Sequence, residues 1–255
     1  MTLARPITSV IDWTPRASGL GKIIPAKGEM TETVRTELLT QYVSAREEIN
    51  LNISSKYFEK GTTCEQQAID LLNRNIFPKR FITSYKIELH NEYVKGTPDI
   101  VEGDYVIDIK NAYDVYSFQK AKLSHEYEWQ LKAYLWLSGR KKGFIFYSLI
   151  DMPDHLLADE ERRLFYSGKY ISTESQDYLE AISELHKRYT YSNRPDVERF
   201  KIFPVTLTEK DIETIKTWVE KGRTYINKMH HAHLENAIKN SDLISGTTKI
   251  EDLFN

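Results

Sequence analysis

The chain has 255 residues, 40% hydrophobic and 28% charged, with a net charge of -2 and one cysteine. That length suits one elaborated domain, residues 1–255, and no apolar run reaches the about 18 residues of a membrane span. Cys64 alone excludes a disulfide within the chain and fits a reducing compartment, while near-neutral charge means that any nucleic-acid contact must be a local basic patch.

The N-terminus carries no basic-then-apolar signal pattern, so export is not expected and a cytoplasmic location is. Residues 1–30 hold much early Pro and Gly, from Trp13 through Arg16, Ser18, Gly19, Gly21 and Lys22 to Pro25. They read as an irregular arm, either a surface loop packed by Trp13 and Ile23 or a phosphate cradle built on Arg16, Ser18, Lys22 and the glycine amides. The chain has no Gly-x-x-x-x-Gly-Lys-Ser/Thr, so ATP held by a P-loop is not expected.

Thr31 to Asn50 has helical spacing at Val34, Leu38, Leu39, Tyr42 and Val43. A second helix is expected over Lys60 to Leu72, opened by Gly61, Thr62 and Thr63. Glu65 lies on its apolar stripe with Ala68, Ile69 and Leu72, and a core-facing carboxylate needs a partner, either backbone groups at the helix start or a cation. Thr83 to His90 alternates Tyr85, Ile87 and Leu89 against polar residues and predicts the first strand of a sheet.

Gly96 to Lys110 then reads as a β-hairpin: a strand at Asp99 to Val101, a turn at Glu102-Gly103-Asp104 and a strand from Tyr105. Alternation puts Tyr105, Ile107 and Ile109 on a core face and Val106, Asp108 and Lys110 on the other. Pairing across the turn brings Asp99 beside Asp108. Two carboxylates that close repel by about 4 kcal/mol at an effective dielectric of 20, so a cation is expected between them. Rigid carboxylate oxygens suit Mg2+ or Mn2+, and Lys110 would hold or help deprotonate a water or steady charge on a phosphate. Asp108-Ile109-Lys110 is the only Asp/Glu-x-Lys triplet in the chain and lies nine residues after Asp99 of Pro98-Asp99.

Asn111 to Ala121 reads as an irregular aromatic and basic segment. Tyr113, Tyr116, Phe118, Lys120 and Lys122 suit either base stacking or a packed loop. Ser124 to Gly139 is a helix capped by Ser124 and ended by Gly139, with Gln130 and Tyr134 one turn apart. Gly143 to Ile150 is a nearly continuous apolar strand, expected to be central. Further on, helices are expected at His155 to Phe165 and Ser175 to Tyr189, a strand at Phe200 to Val205, and a long helix from Thr208 to Asn236. The histidines His230, His231 and His233 lie on that polar helix without a cysteine or acid at ligand spacing, so zinc is not expected there. The end, Asp252-Leu253-Phe254, is either a hook for a partner or a locally packed tail.

Pro98-Asp99 followed by Asp108-Ile109-Lys110 resembles the signature of the PD-(D/E)XK nuclease superfamily. Gln130-x-x-x-Tyr134 is similar to the motif of its RecB-like branch. Gly61-x-x-x-Glu65 and Tyr127-Glu-Trp-Gln130-Leu-Lys-Ala-Tyr134 look most like the phage lambda exonuclease and YqaJ-like recombinase exonucleases in that branch. Asp108 stands where many members carry Glu, a variation that the signature permits. The resemblance implies an α/β (α+β) fold with a restriction-endonuclease-like αβββαβ core at about residues 57–150. An N-terminal arm and helix (1–56) and a helical C-terminal elaboration (151–255) would flank it.

The resemblance also implies a Mg2+- or Mn2+-dependent deoxyribonuclease. Glu65, Asp99, Asp108 and the Ile109 carbonyl would hold one or two ions, and Lys110, Gln130 and Tyr134 would complete the catalytic set. Arg16, Ser18 and Lys22 would grip a terminal phosphate. Relatives of this type degrade duplex ends from the 5′ side as ring-shaped trimers that feed a single-strand annealing protein in phage recombination, in a bacterial or phage-infected host cytoplasm. The iron-sulfur members need four cysteines, so no cluster is expected. An endonuclease of the same fold and a non-catalytic DNA-binding protein are the alternatives.

Overall fold

The computed structural model describes residues 12–49, 51 and 56–245. After a 3-10 turn at Ala17–Gly19, the helices are α1 (Leu20–Ile23), α2 (Glu32–Glu47), α3 (Lys56–Thr63), α4 (Glu65–Ile76), α5 (Val115–Lys120), α6 (His125–Ser138), α7 (Asp154–Phe165), α8 (Gln176–Tyr189) and α9 (Glu209–Ile244). The strands are β1 (Leu89–His90), β2 (Lys95–Gly96), β3 (Ile100–Glu102), β4 (Tyr105–Asn111), β5 (Lys142–Ser148) and β6 (Phe200–Thr206).

A mixed sheet of order β3-β4-β5-β6 forms the centre, with β4 and β5 parallel and the outer pairs antiparallel. Parallel neighbours need a crossover, and α6 supplies it. The helix starts where Ser124 Oγ accepts the Tyr127 N–H at 3.1 Å and stops where Gly139 turns left-handed at φ 69°. One face of the sheet packs Ile107, Ile109 and Phe146 against Ala68, Ile69 and Leu72 of α4. The other packs Val106 and Ile145 against Leu131 and Leu135 of α6, in a core that also takes in Trp13, Leu38, Trp218 and Ile226.

The β3–β4 hairpin forms as its pattern requires. Gly103 takes φ 52° in the turn, and the register pairs Ile100 with Ile107. Tyr105, assigned to the core face by alternation, is 43% exposed because it sits at the turn, before α4 begins to cover the strand. The opposite face is not solvated: β4 is an inner strand buried on both sides, and Asp108 has no exposure at all.

Several expectations change. Thr83 to His90 is not the first strand of the sheet. Only Leu89 and His90 pair, with Lys95 and Gly96 in a separate two-stranded ribbon, and Ile87 is 62% exposed. Alternation needs a face to bury against, and here the chain touches the hairpin through a single backbone bond, Tyr85 N to Asp99 O at 2.6 Å. Gly61 and Thr62 do not open a helix but lie inside α3, which bends at Cys64 into α4. The Cys64 N–H still reaches Lys60 O at 2.9 Å, and Cys64 O still takes the Ala68 N–H at 3.0 Å.

The irregular arm contains α1 and the 3-10 turn, because its apolar residues Ala17, Leu20 and Ile23 all find the core. Residues 111–121 contain the short helix α5, which Asp114 initiates through a capping box with Ser117. The first long helix is shorter than expected, Glu32–Glu47, and Leu39 lies 48% exposed beside its buried stripe. The last helix runs on to Ile244 behind the expected Thr208/Asp211 box. His230 is buried with its Nδ1 3.4 Å from the Tyr42 hydroxyl, fastening α9 to α2. The residues Asp252, Leu253 and Phe254 lie outside the described ones.

Candidate active site

The site forms where β3 has not yet begun and β4 continues with only β5 beside it. One step beyond the last paired residues, Asp99 stands opposite Asp108. Asp99 Oδ2 accepts the Ile109 N–H at 2.6 Å, replacing the ladder bond that a longer β3 would have made. In an extended strand a residue's N–H and C=O point to the same side. The Ile109 carbonyl is therefore directed to the Asp99 side.

Asp108 lies at the bottom. Gln130 uses both hydrogens of its amide there, donating one to Asp108 Oδ1 at 3.1 Å and one to the Tyr134 hydroxyl at 3.2 Å. Helical spacing puts Gln130 and Tyr134 on one face of α6, and that face lies over the Asp108 side of β4. The close fit depends on Gly96, where a Cβ would sit 2.8 Å from Tyr134 Cε1 and 3.1 Å from Ala17 Cβ.

Lys110 Nζ stands 2.8 Å from Asp108 Oδ2 and 5.1 Å from the centre of the Tyr127 ring. Burial works against its charge, but Asp108 and Asp99 outweigh burial and hold its pKa well above the ordinary lysine value. In this arrangement Lys110 is an ammonium and not a base. Asp99 moves the other way, its pKa pushed up to about 7 by burial first and by repulsion from Asp108 second, against the pull of Lys110 and the Ile109 N–H. Burial and then Asp108 raise the Tyr134 hydroxyl to about 12.

Asp99, Ile109 and Lys110 open onto a cleft of about 460 Å³ that Glu65, Tyr113, Ser117, Tyr127 and Tyr147 also line. Glu65, in the first turn of α4, is at its mouth with Oε1 3.7 Å from Lys86 Nζ. A larger depression of about 840 Å³ between α1 and α2 contains none of the hairpin residues, so the chemistry and not the size singles out the smaller cleft.

The donors suit a hard divalent cation. Asp108 Oδ2 is buried with no aligned hydrogen bond, since its contact with Lys110 is an ion pair whose angles fall short of one. Asp99 keeps its second oxygen for another partner. Among the described residues no three His, Cys, Asp or Glu side chains stand close enough to be a preformed cage. Two carboxylates, with Glu65 lining the same cleft, fit a hydrated Mg2+, which binds through one or two carboxylates and keeps several waters.

The phosphate-gripping set is not brought to this cleft. Arg16 Nη1 pairs with Glu88 at 3.2 Å, Lys22 Nζ lies 3.7 Å from Glu37, and Ser18 is exposed on the 3-10 turn. Gly21 is committed to packing, since a Cβ there would lie 2.4 Å from Glu126 Cα. Two lysines were missed in the sequence. Lys86 pairs with Glu65 from a stretch read as a strand. Lys60 is 1% exposed and donates to Tyr113 O at 2.9 Å, holding the cleft wall, and burial lowers its pKa to about 8. Only its position four residues before the buried Cys64 on one helix face could have drawn notice to it.

No family model matches the sequence, and no curated protein does. Solved structures do. A phage-related exonuclease from Haemophilus somnus 129PT superposes with a TM-score of 0.68 at 20% identity, over 88% of this chain and 97% of that one. The alkaline exonuclease LHK-Exo from Laribacter hongkongensis gives a TM-score of 0.59 at 13% identity, over 89% of this chain and 94% of that one. The same enzyme in complex with dAMP gives 0.57, also at 13% identity. The chain thus has the nuclease fold of these exonucleases over nearly its whole length.

Proposed function

We propose that this protein is a metal-dependent DNA exonuclease that hydrolyses phosphodiester bonds from duplex ends, in the 5′ to 3′ direction, in phage-type recombination or repair. The observation that carries the reading is Asp108, wholly buried in an inner strand, held by Gln130 and paired with Lys110 beside Asp99. A pure scaffold has no use for two adjacent carboxylates in a low-dielectric cleft, where they cost stability unless a cation joins them. The shared fold of the phage-related and alkaline exonucleases supports the same reading.

A divalent ion held by Asp99, Asp108, the Ile109 carbonyl and Glu65 would supply Lewis-acid activation of a phosphate oxygen and of water. The protein's own groups do the rest. Gln130 fixes Asp108 through Oδ1 and leaves Oδ2 facing the cation site and Lys110. Tyr134 fixes Gln130, so this pair positions Asp108. Lys110, held protonated, places a positive charge where negative charge grows on the phosphate under attack. Glu65, whose Oε1 lies 3.7 Å from the exposed Lys86 ammonium, would join the ion from the first turn of α4.

The test compares linear with covalently closed circular duplex DNA in Mg2+ and in EDTA. Loss of the linear form alone, with 5′ label released before 3′ label, supports the proposal. Nicking of the circle moves the reading to an endonuclease of the same fold. A ring-shaped homotrimer and a single-strand annealing partner extend the proposal on the resemblance. Sedimentation of the purified protein tests the trimer, and pull-down with the annealing protein of the same locus tests the partner.

A further inference from the structure

The lysine and tyrosine segment after β4 is absorbed only in part by the site. Tyr113 and Ser117 line the cleft, and Phe118 is buried against the Tyr147 ring at 6.3 Å. Tyr116 is left 66% exposed, one residue from Ser117, with Lys120 Nζ 5.1 Å over its ring and exposed Lys122 just beyond the helix. A six-residue helix would not be rigid by itself. Here α5 is fastened from several elements. Arg188 pairs with its cap Asp114 at 2.6 Å, the Tyr191 hydroxyl accepts the Val115 N–H at 3.1 Å, and Lys201 donates to Phe118 O at 2.8 Å and Gln119 O at 2.9 Å.

We infer that Tyr116, with Lys120 and Lys122, forms a stacking subsite for a nucleobase of single-stranded DNA beside the catalytic cleft. The inference rests on the proposed nuclease reading and adds to it the part that holds the strand. A protein of net charge -2 must meet DNA through a local basic patch, and here Lys120 lies over an exposed aromatic ring, with Lys122 two residues on, on a fastened helix whose Ser117 lines the cleft. Aromatic stacking tolerates any base, because every base has a π-face, and the lysines answer the phosphates on either side. The ring's exposure would be a liability in a core and is what a stacking platform requires.

The test uses the full chain in EDTA with a fluorescent duplex carrying a single-stranded overhang that ends in 2-aminopurine, together with Tyr116→Ala, Tyr116→Phe and Tyr116→Trp. Stacking quenches the probe. Wild type, Phe and Trp should bind and quench alike, while Ala should bind roughly tenfold more weakly and lose the quench. In Mg2+ the Ala defect should fall on KM. Circular dichroism confirms that the variants fold. Equal binding and quenching by Tyr116→Ala, with DNA hydrolysis intact, would overturn this inference and leave the nuclease reading standing. Wild-type protein that neither binds nor hydrolyses DNA would overturn both.

Discussion

At the scale of single residues, the site depends on which group is charged. Asp108 has its Oδ1 occupied by Gln130 and its Oδ2 beside Lys110, so Asp108→Asn removes the charge while keeping the volume. That substitution and Lys110→Met should each reduce DNA hydrolysis by two orders of magnitude or more, on the scale of losing one preorganised electrostatic group. Steady-state rates on folded variants check this.

Asp99 gives a pH dependence with a definite sign. Its folded pKa of about 7 lies above the unfolded value, so the stability it contributes is full below about pH 4 and is lost as pH rises through 7. The metal-free protein should therefore lose several degrees of Tm from this group between pH 5 and 8. Asp99→Asn, which still offers an oxygen to the Ile109 N–H, should flatten that slope and raise Tm at pH 8. Equal slopes in scans of the two proteins would contradict the assignment.

Asp99, Asp108 and Lys110 were legible together because hairpin pairing and strand alternation place them on one side, whereas Gln130 and Tyr134 share a helix face by period and were joined to the hairpin only by the resemblance. Lys60 and Lys86 were not legible, since their partners are a carbonyl 53 residues away and a glutamate across a loop.

At the scale of elements, the hairpin and α6 do the positioning. Ser124 begins α6 and Gly96 lets β2 lie against Tyr134. Ser124→Ala should cost about 1 kcal/mol of stability with little change in rate, because a lost cap frays the first turn and leaves Gln130 in place. Gly96→Ala should do the reverse in kind. Its new methyl must displace the Tyr134 ring or Ala17, and hydrolysis should fall with the loosened Gln130–Tyr134 contact. Chemical denaturation and rates measured on both variants separate the two effects.

The sequence showed β4, β5 and α6 well, since each has a clear period and a cap or a buried run. It misled at residues 83–90, where alternation is present but no face covers Ile87. It also misled at α5, whose signal is the local Asp114–Ser117 box, easily lost among tyrosines.

At the scale of the whole molecule, the sheet carries the hairpin between two helical layers, and α4 and α6 approach the same end of β4 from opposite faces. That convergence places Glu65, Asp99, Lys110 and Tyr127 around one cleft although they span more than 60 residues of sequence. The order of helix, hairpin, helix and strand was readable because each step is local. The docking of α9 across α2 and the arm was not, because it depends on distant pairs such as Trp13 against Gly222 and Tyr42 against His230. Among the described residues no helix is long and apolar enough to cross a membrane.

The most direct test of the central claim is release of acid-soluble nucleotides from linear duplex DNA by wild type and Asp108→Asn, each with Mg2+ and with EDTA. Wild type should release nucleotides in Mg2+ alone, with Asp108→Asn folded and inactive. Hydrolysis by Asp108→Asn at the wild-type rate, or wild-type hydrolysis that persists in EDTA, would contradict the claim.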